Sequence, residues 1–231
     1  MDKDFLRLKV TGHGIYPSRF ARLATLIGAM KRPVTVIAAG NQLGGDAYVL
    51  AMHLLDAGIA DVRIIAHDAQ ADRQAIATRG VYRASEISID FRMGRLSPHF
   101  REYYVPDTDD KYLSVRADVR GLIEFVPTTQ MLPYEGVAPA DVIMLRNVWL
   151  HLHPSERITL IARLRDSLPD DGVFAVRYAH WNELSVVAPS LGDRRVFGRP
   201  YPDAVQRLSS LELEPARDPL YADRPGQYPV A

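Results

Sequence analysis

The sequence predicts an α/β fold: a mostly parallel sheet with helices on both faces. Two observations carry this. Short apolar runs of strand length alternate with segments of helical periodicity along most of the 231 residues. The first of these runs, "VTVIAAG", is followed by a glycine-punctuated loop and then an apolar-rich segment, as in a strand–loop–helix unit.

The elements follow in order. "YPSRFARLATLIGAM" has Phe20, Leu23, Leu26, Ile27 and Met30 at helical spacing, with Pro17 and Ser18 suited to a helix start. Pro33 closes it, and "VTVIAA" reads as a short buried strand. "GDAYVLAMHLLDAG" reads as a helix with Tyr48, Ala51, Met52 and Leu55 on one face and Gly58 as its C-terminal cap. "DVRIIAHD" is the next strand, and "AQADRQAIATRG" a helix ending at Gly80. Residues 81 to 118 are less regular: "LSPHFREYY" reads as a short helix and "KYLSV" as a short strand. "GLIEFVP" and "ADVIMLRN" are further strands. "HPSERITLIARLRDSLPDDG" is a helix with Ile158, Ile161, Leu164 and Leu168 on one face, and "GVFAVRYA" is the strand after it. From about residue 189 the chain is rich in proline; "DAVQRLSSL" reads as a short helix and the rest as extended. One domain is expected over 1–231: a helical lead-in at 1–32, a core at 33–188 and a proline-rich segment at 189–231.

Composition narrows the function. Lys+Arg and Asp+Glu are both 28, so the formal net charge is zero and nothing draws the whole chain to nucleic acid or an anionic membrane. There is no cysteine, which excludes disulfides, thiolate metal sites and Cys nucleophiles. The N-terminus, "MDKDFLRLKV", lacks the apolar stretch of a secretory signal. No apolar run approaches the roughly 20 residues that span a bilayer. A cytoplasmic protein with no nucleic-acid or membrane partner is expected; composition leaves the oligomeric state open. His151 and His153 with Asp141 lack zinc spacing, so no metal site is expected.

In an open α/β sheet, ligands bind at the carboxyl ends of the strands, near the switch in strand order. Three segments should converge there. In "AGNQLGGD", Gly40, Gly44 and Gly45 let the backbone approach a ligand closely, and the following helix N-terminus favours negative charge. Asp68, ending "VRIIAHD", is suited to accept the ribose hydroxyls of a nucleoside, or to cap the next helix. "LRNVWLH" ends the strand beside the presumed reaction centre. The loop is not a phosphate-binding Walker loop, since no Lys-Ser/Thr follows the glycines, and it lacks the GxGxxG spacing of dinucleotide sites.

A family resemblance runs through these segments, over residues 33 to 183. "AGNQLGGDAYVLAM" resembles the A-G/A-C-S-T-G-E-E-P-Y-S-L-A-M loop of the CheR family of S-adenosylmethionine-dependent methyltransferases, whose best-known members methylate glutamates of chemotaxis receptors. "IIAHDAQADRQAIATRGVYRASEI" resembles that family's A-T-D-I-D, helix and G-x-Y series. "RLSPHFREYY", "DVIMLRNVWLHL" and "LRDSLPDDGVFAV" are similar to its later segments, in the same order. The resemblance implies a class I methyltransferase (Rossmann-like) fold with S-adenosylmethionine as cofactor. It implies cofactor contacts from Gly40, Asn41, Gly44, Asp46, Asp68, Thr129, Gln130, Arg146 and Asn147.

The sequence also departs from the family pattern, most on the acceptor side. Gly45-Asp46 stands where the family has two glutamates, and Gln70 replaces its later acid. No arginine occurs at His13, Gly14 or Ile15, where the family's F-F-R arginine falls, and His151 replaces its tyrosine. The family's helical N-terminal domain is expected to be missing. His151 is the candidate base, its unperturbed pKa of about 6.5 suiting that role, and Arg146 the candidate anchor for an anionic group. Tyr16, Tyr178, His180 and Trp181 are candidate lining for an acceptor pocket. The expected function is methyl transfer to a small molecule or a non-receptor protein. The alternative is a degenerate, non-catalytic cofactor-binding or scaffold protein; a nicotinamide-dependent oxidoreductase would share the loop–acid pattern but not the series of segments.

Overall fold

The computed structural model describes residues 17–92, 98–127, 139–145, 153, 156, 159, 167–169, 171–176, 195–197 and 206–207. Most of the expected helix at 153–172 and most of the proline-rich segment lie outside the described residues.

The chain runs through α1 (Pro17–Ala29), β1 (Val34–Ala39), α2 (Gly45–Asp56), β2 (Val62–Asp68) and α3 (Ala71–Arg79). It continues through β3 (Val81–Arg83), α4 (Ala84–Arg92), a 3₁₀ turn (Pro98–Tyr103), β4 (Tyr104–Pro106) and β5 (Tyr112–Val115). Then come α5 (Ala117–Gly121), β6 (Ile123–Pro127), β7 (Val142–Leu145), β8 (Val173–Val176), β9 (Arg195–Phe197) and β10 (Gln206–Arg207). The large sheet has the order β10-β9-β8-β7-β1-β2-β6, parallel except for the antiparallel edge pair β9–β10. The sequence moves outward from β1 to β2 and β6, then returns to β7 on the other side of β1. The switch in strand order therefore lies at β1, and its carboxyl end is where a crevice forms.

Alternation along the strands explains the layers. Val34, Val36 and Ala38 of β1 and Val62, Ile64 and Ala66 of β2 join one core cluster with α1 and α2. The intervening Ile37, Ile65, Ile143 and Phe174 are also buried, so the sheet is covered on both faces. This is why the strands read as apolar runs.

Helix α1 buries Phe20, Leu23, Ala24, Leu26 and Ile27 and exposes Ala21, Arg22 and Thr25, the expected stripe. Helix α2 departs from the single face expected of it: residues 45–52 and Leu54 are all buried, while Leu55 is only half-buried. It is flanked by α1 and by aromatics of the 3₁₀ turn, with Phe100 edge-on to His53 at 4.6 Å and Tyr103 Oη donating to Asp56 Oδ1 at 2.5 Å. Its C-terminus ends as expected at Gly58, whose φ of 70° lets the Gly58 and Ile59 amides donate to the Leu55 and Leu54 carbonyls.

The irregular stretch forms a second, antiparallel sheet of order β3-β5-β4. Of its elements the sequence indicated only β5 and the turn at 98–103. The expected helix at 203–211 is corrected in part: Gln206 and Arg207 pair with Val196 and Arg195 as a strand. The open edge of β9 offers ladder hydrogen bonds that outweigh a weak local helix preference.

At the amino ends of the strands, Asp141 fastens three of them. Its carboxylate accepts the Thr35 amide at 2.7 Å and the Arg32 guanidinium, its amide donates to the Thr35 carbonyl, and its carbonyl accepts the Val173 amide. Arg32 also reaches Asp171 at 3.0 Å.

Candidate functional site

The loop between β1 and α2 is a tight, internally bonded turn. Gly40, Gln42 and Gly44 all have left-handed backbone, with φ of 68°, 49° and 88°. Glycine takes this conformation without steric cost, whereas at Gln42 it carries a cost of about 1–2 kcal/mol. The Asn41 amide donates to the His67 carbonyl at 3.0 Å, which continues the β1–β2 pairing past the strand end. The Gly44 amide donates back to the Asn41 carbonyl at 2.9 Å. Gly44 is the N-cap of α2 but has no side chain, so the cap oxygen comes from Asn41: its Oδ1 accepts the Ala47 amide at 3.2 Å. At Gly44 a methyl group would sit 2.8 Å from Tyr48 Cε2, so glycine is needed for space as well as for φ. Asp46 is buried in the first turn of α2, where an acid complements the helix dipole.

Asp68 closes the crevice. One carboxylate oxygen accepts the Gln42 amide at 2.7 Å and the other the Gln70 amide at 2.9 Å. The N-cap of α3 is Gln70, which makes no side-chain cap bond, so Asp68 shapes the turn leading into α3. An ionised carboxylate has about four acceptor sites, and two remain for ligand hydroxyls.

The structure thus brings together Gly40, Asn41, Gly44, Asp46 and Asp68. Thr129, Gln130, Arg146, Asn147 and His151 lie outside the described residues, as do Tyr16, Tyr178, His180 and Trp181. The strands that lead toward two of these segments do end at the crevice: Pro127 of β6 pairs with Asp68, and Leu145 of β7 with Ala39.

Sequence reasoning missed three side chains here. Tyr82 of β3 donates its hydroxyl to the Leu43 carbonyl at 2.5 Å. Gln74 of α3 donates to the Ala66 carbonyl at 2.9 Å and spans toward Val126 at 3.3 Å, filling the gap between β2 and β6. His67 precedes Asp68 and so faces the opposite side of the sheet, 2% exposed, with no hydrogen-bond partner among the described residues at either ring nitrogen. Burial lowers its pKa, against weaker opposing effects of the Val126 backbone and the Glu124 carboxylate; both lie short of side-chain hydrogen-bond geometry.

Among the described residues, Asp56, His99 and Glu102 bring three metal-type donor atoms within 4.8 Å of one another. They are exposed, at the far end of α2 from the loop, with His99 Nε2 at 3.1 Å from a carboxylate oxygen of each acid. No helix among the described residues is long and apolar enough to cross a membrane.

A parallel sheet switching at β1, a glycine loop and an acid ending β2 define a Rossmann-like α/β domain; the family match gives its class. Residues 15–179 match the family model described as CheR methyltransferase, SAM binding domain. The chain belongs to that family. It is 27% identical over 158 residues to a chemotaxis protein methyltransferase of Vibrio anguillarum and to one of Vibrio parahaemolyticus, covering 65% of this chain and 55% of each relative. The chain thus spans about half the length of the curated relatives it matches. Among solved structures, the O-methyltransferase TomG from Streptomyces achromogenes is 13% identical, with a TM-score of 0.38 over 72% of this chain and 58% of that one.

Proposed function

We propose that this chain binds S-adenosylmethionine at the carboxyl ends of β1 and β2 and transfers its methyl group to a small molecule or a non-receptor protein. The observation that carries the reading is Asp68: a buried carboxylate bonded to the glycine loop through Gln42, with acceptor capacity left over. The residues present fit the cofactor. Asn41 Nδ2 is a buried donor with no hydrogen-bond partner among the described residues, available to an acceptor atom of a ligand, and the Gly40–Gly44 backbone admits a close approach.

When bound, the cofactor supplies a sulfonium methyl group for in-line displacement, a reaction that depends chiefly on positioning. In this reading Asp68 holds the ribose hydroxyls, the loop holds the amino-acid end and Arg146 anchors an anionic group. His151 takes the proton that a hydroxyl or amine acceptor must lose. The replacements at His13–Ile15 and at His151 motivate an acceptor other than a receptor glutamate. Gly45, standing where the family has an acid, favours the second reading, a cofactor-binding protein without turnover.

Calorimetry with S-adenosylhomocysteine tests the cofactor site. Hydrogen bonds to a charged group contribute roughly 1.5–3 kcal/mol each. Asp68→Ala should therefore weaken binding at least tenfold while the protein still unfolds cooperatively; an unchanged dissociation constant refutes the ribose role. Nicotinamide dinucleotide bound in place of S-adenosylhomocysteine would refute the cofactor assignment itself. Methyl transfer to candidate acceptors then separates an enzyme from a non-catalytic binder, and stoichiometric labelling of receptor glutamates would overturn the acceptor proposal.

A further inference from the structure

Three residues of the Gly40–Gly44 loop have left-handed backbone, one of them non-glycine, so the loop's shape must be held by contacts from outside it. One is the Asp68 carboxylate on the Gln42 amide. Another comes from the small sheet. Tyr82, 1% exposed, reaches across 39 positions of sequence to donate to the carbonyl of Leu43, itself buried.

The ring is set edge-on against Tyr48, with centroids 6.3 Å apart and planes at 84°. The Tyr48 hydroxyl goes elsewhere, to the Ala77 carbonyl at 2.6 Å. Two buried tyrosines thus lie side by side, one bonded to the loop and one to a helix. Burial holds the Tyr82 proton well above its ordinary range, so the hydroxyl remains a donor at any working pH.

We propose that Tyr82 is a positioning residue for the cofactor site: by fixing the Leu43 carbonyl it fixes the Gln42–Gly44 turn, and so makes the small sheet a determinant of cofactor affinity. The inference rests on the loop being the cofactor site. Without the hydroxyl, the buried Leu43 carbonyl loses its donor. The loop then spends less time in its binding geometry, and apparent affinity falls in proportion to the competent fraction.

The neighbouring tyrosine supplies the control. Tyr82→Phe and Tyr48→Phe each remove one buried hydroxyl donated to a carbonyl and keep the ring. Two readouts are needed: S-adenosylhomocysteine binding by calorimetry, and hydrogen exchange over residues 40–47 in the protein alone. In that segment the Asn41, Gln42, Gly44 and Ala47 amides are all bonded. Both variants should lose similar thermal stability. Only Tyr82→Phe should speed exchange over 40–47 and weaken S-adenosylhomocysteine binding, by about tenfold. If the two variants match in exchange and affinity, Tyr82 is merely structural and the proposal is overturned. Unchanged exchange in Tyr82→Phe overturns it as well. If wild type does not bind S-adenosylhomocysteine, the cofactor reading fails; loop exchange then judges the tether alone, supporting it only if Tyr82→Phe exchanges faster than Tyr48→Phe.

Discussion

The two sheets are built on different principles. The large one places apolar side chains on both faces and is a core in its own right. The small one has strands of three or four residues, and Val81 and Val105 on its edge strands are exposed. Strands so short bury little by themselves. The small sheet borrows its stability: its Tyr82, Tyr104 and Val115, and Phe100 and Tyr103 of the 3₁₀ turn leading into β4, join the same core cluster as β1, β2 and α2. A region that looks like an appendage is thus bonded into the protein through aromatic side chains, and one of these also touches the candidate site.

The largest expected effect tests that dependence. Phe100 is 1% exposed and packs on His53 and Tyr103. Phe100→Ala should cost about 3–5 kcal/mol in urea unfolding, as a truncated core aromatic does, and lower protection in both sheets together. Protection lost over residues 81–115 alone would show the small sheet to be a separate cooperative unit.

A pair of glycines sharpens the comparison at the junction. Gly58 and Gly80 have nearly the same backbone, with φ of 70° and 63°. An added methyl group meets open space at Gly58, but at Gly80 it would lie 2.7 Å from the Tyr48 hydroxyl and 3.1 Å from Arg120 Cδ. Gly58→Ala should cost about 1–2 kcal/mol, the left-handed penalty alone. Gly80→Ala should cost that plus overpacking of roughly 1–3 kcal/mol. Equal thermal shifts would mean that Tyr48 and Arg120 yield freely there.

His67 gives the smallest effect, confined to one pH window. Its folded pKa lies below the unfolded value of about 6.5, so between the two the unfolded chain binds more protons. Its contribution is fully favourable above pH 6.5 and is lost as pH falls toward the folded value. Each pH unit in that window costs at most about 1.4 kcal/mol. Wild type should therefore lose stability relative to His67→Leu between pH 7.5 and 5.5 in urea titrations. Parallel losses would exclude His67 as the titrating group.

The large sheet was legible because burial on both faces writes itself as unbroken apolar runs, as in "VTVIAA" and "VIML". The loop was legible because Gly40 and Asp68 sit at strand ends and Gly44 at a helix start, where residue type reports directly on backbone need. The small sheet was not: β3 meets β5 some thirty residues later, and three-residue strands such as "VYR" are too short to show a period. Asn41 was read as a ligand contact, but its capping of α2 became visible only with the Ala47 amide in place. Tyr82 and His67 were missed for a related reason. The first acts on a carbonyl far away in sequence, and the second is a polar letter in a strand whose two faces only the fold distinguishes.

The position of Asp141 bears on how the chain assembles. Thr35 and Asp141 are 106 positions apart, and β2, the small sheet and β6 are all synthesised between them. Contacts across such separations carry a larger loop-closure cost than nearer pairings, and topologies rich in them fold more slowly. The returning strand begins with a carboxylate that must find both a backbone amide of β1 and Arg32. Because β7 is apolar on both faces, a slip of one residue costs little in its side chains, but it strands that carboxylate without its partners. Asp141 thus works as a checksum on the register of β7, at the opposite end of the sheet from the Gly40–Gly44 loop.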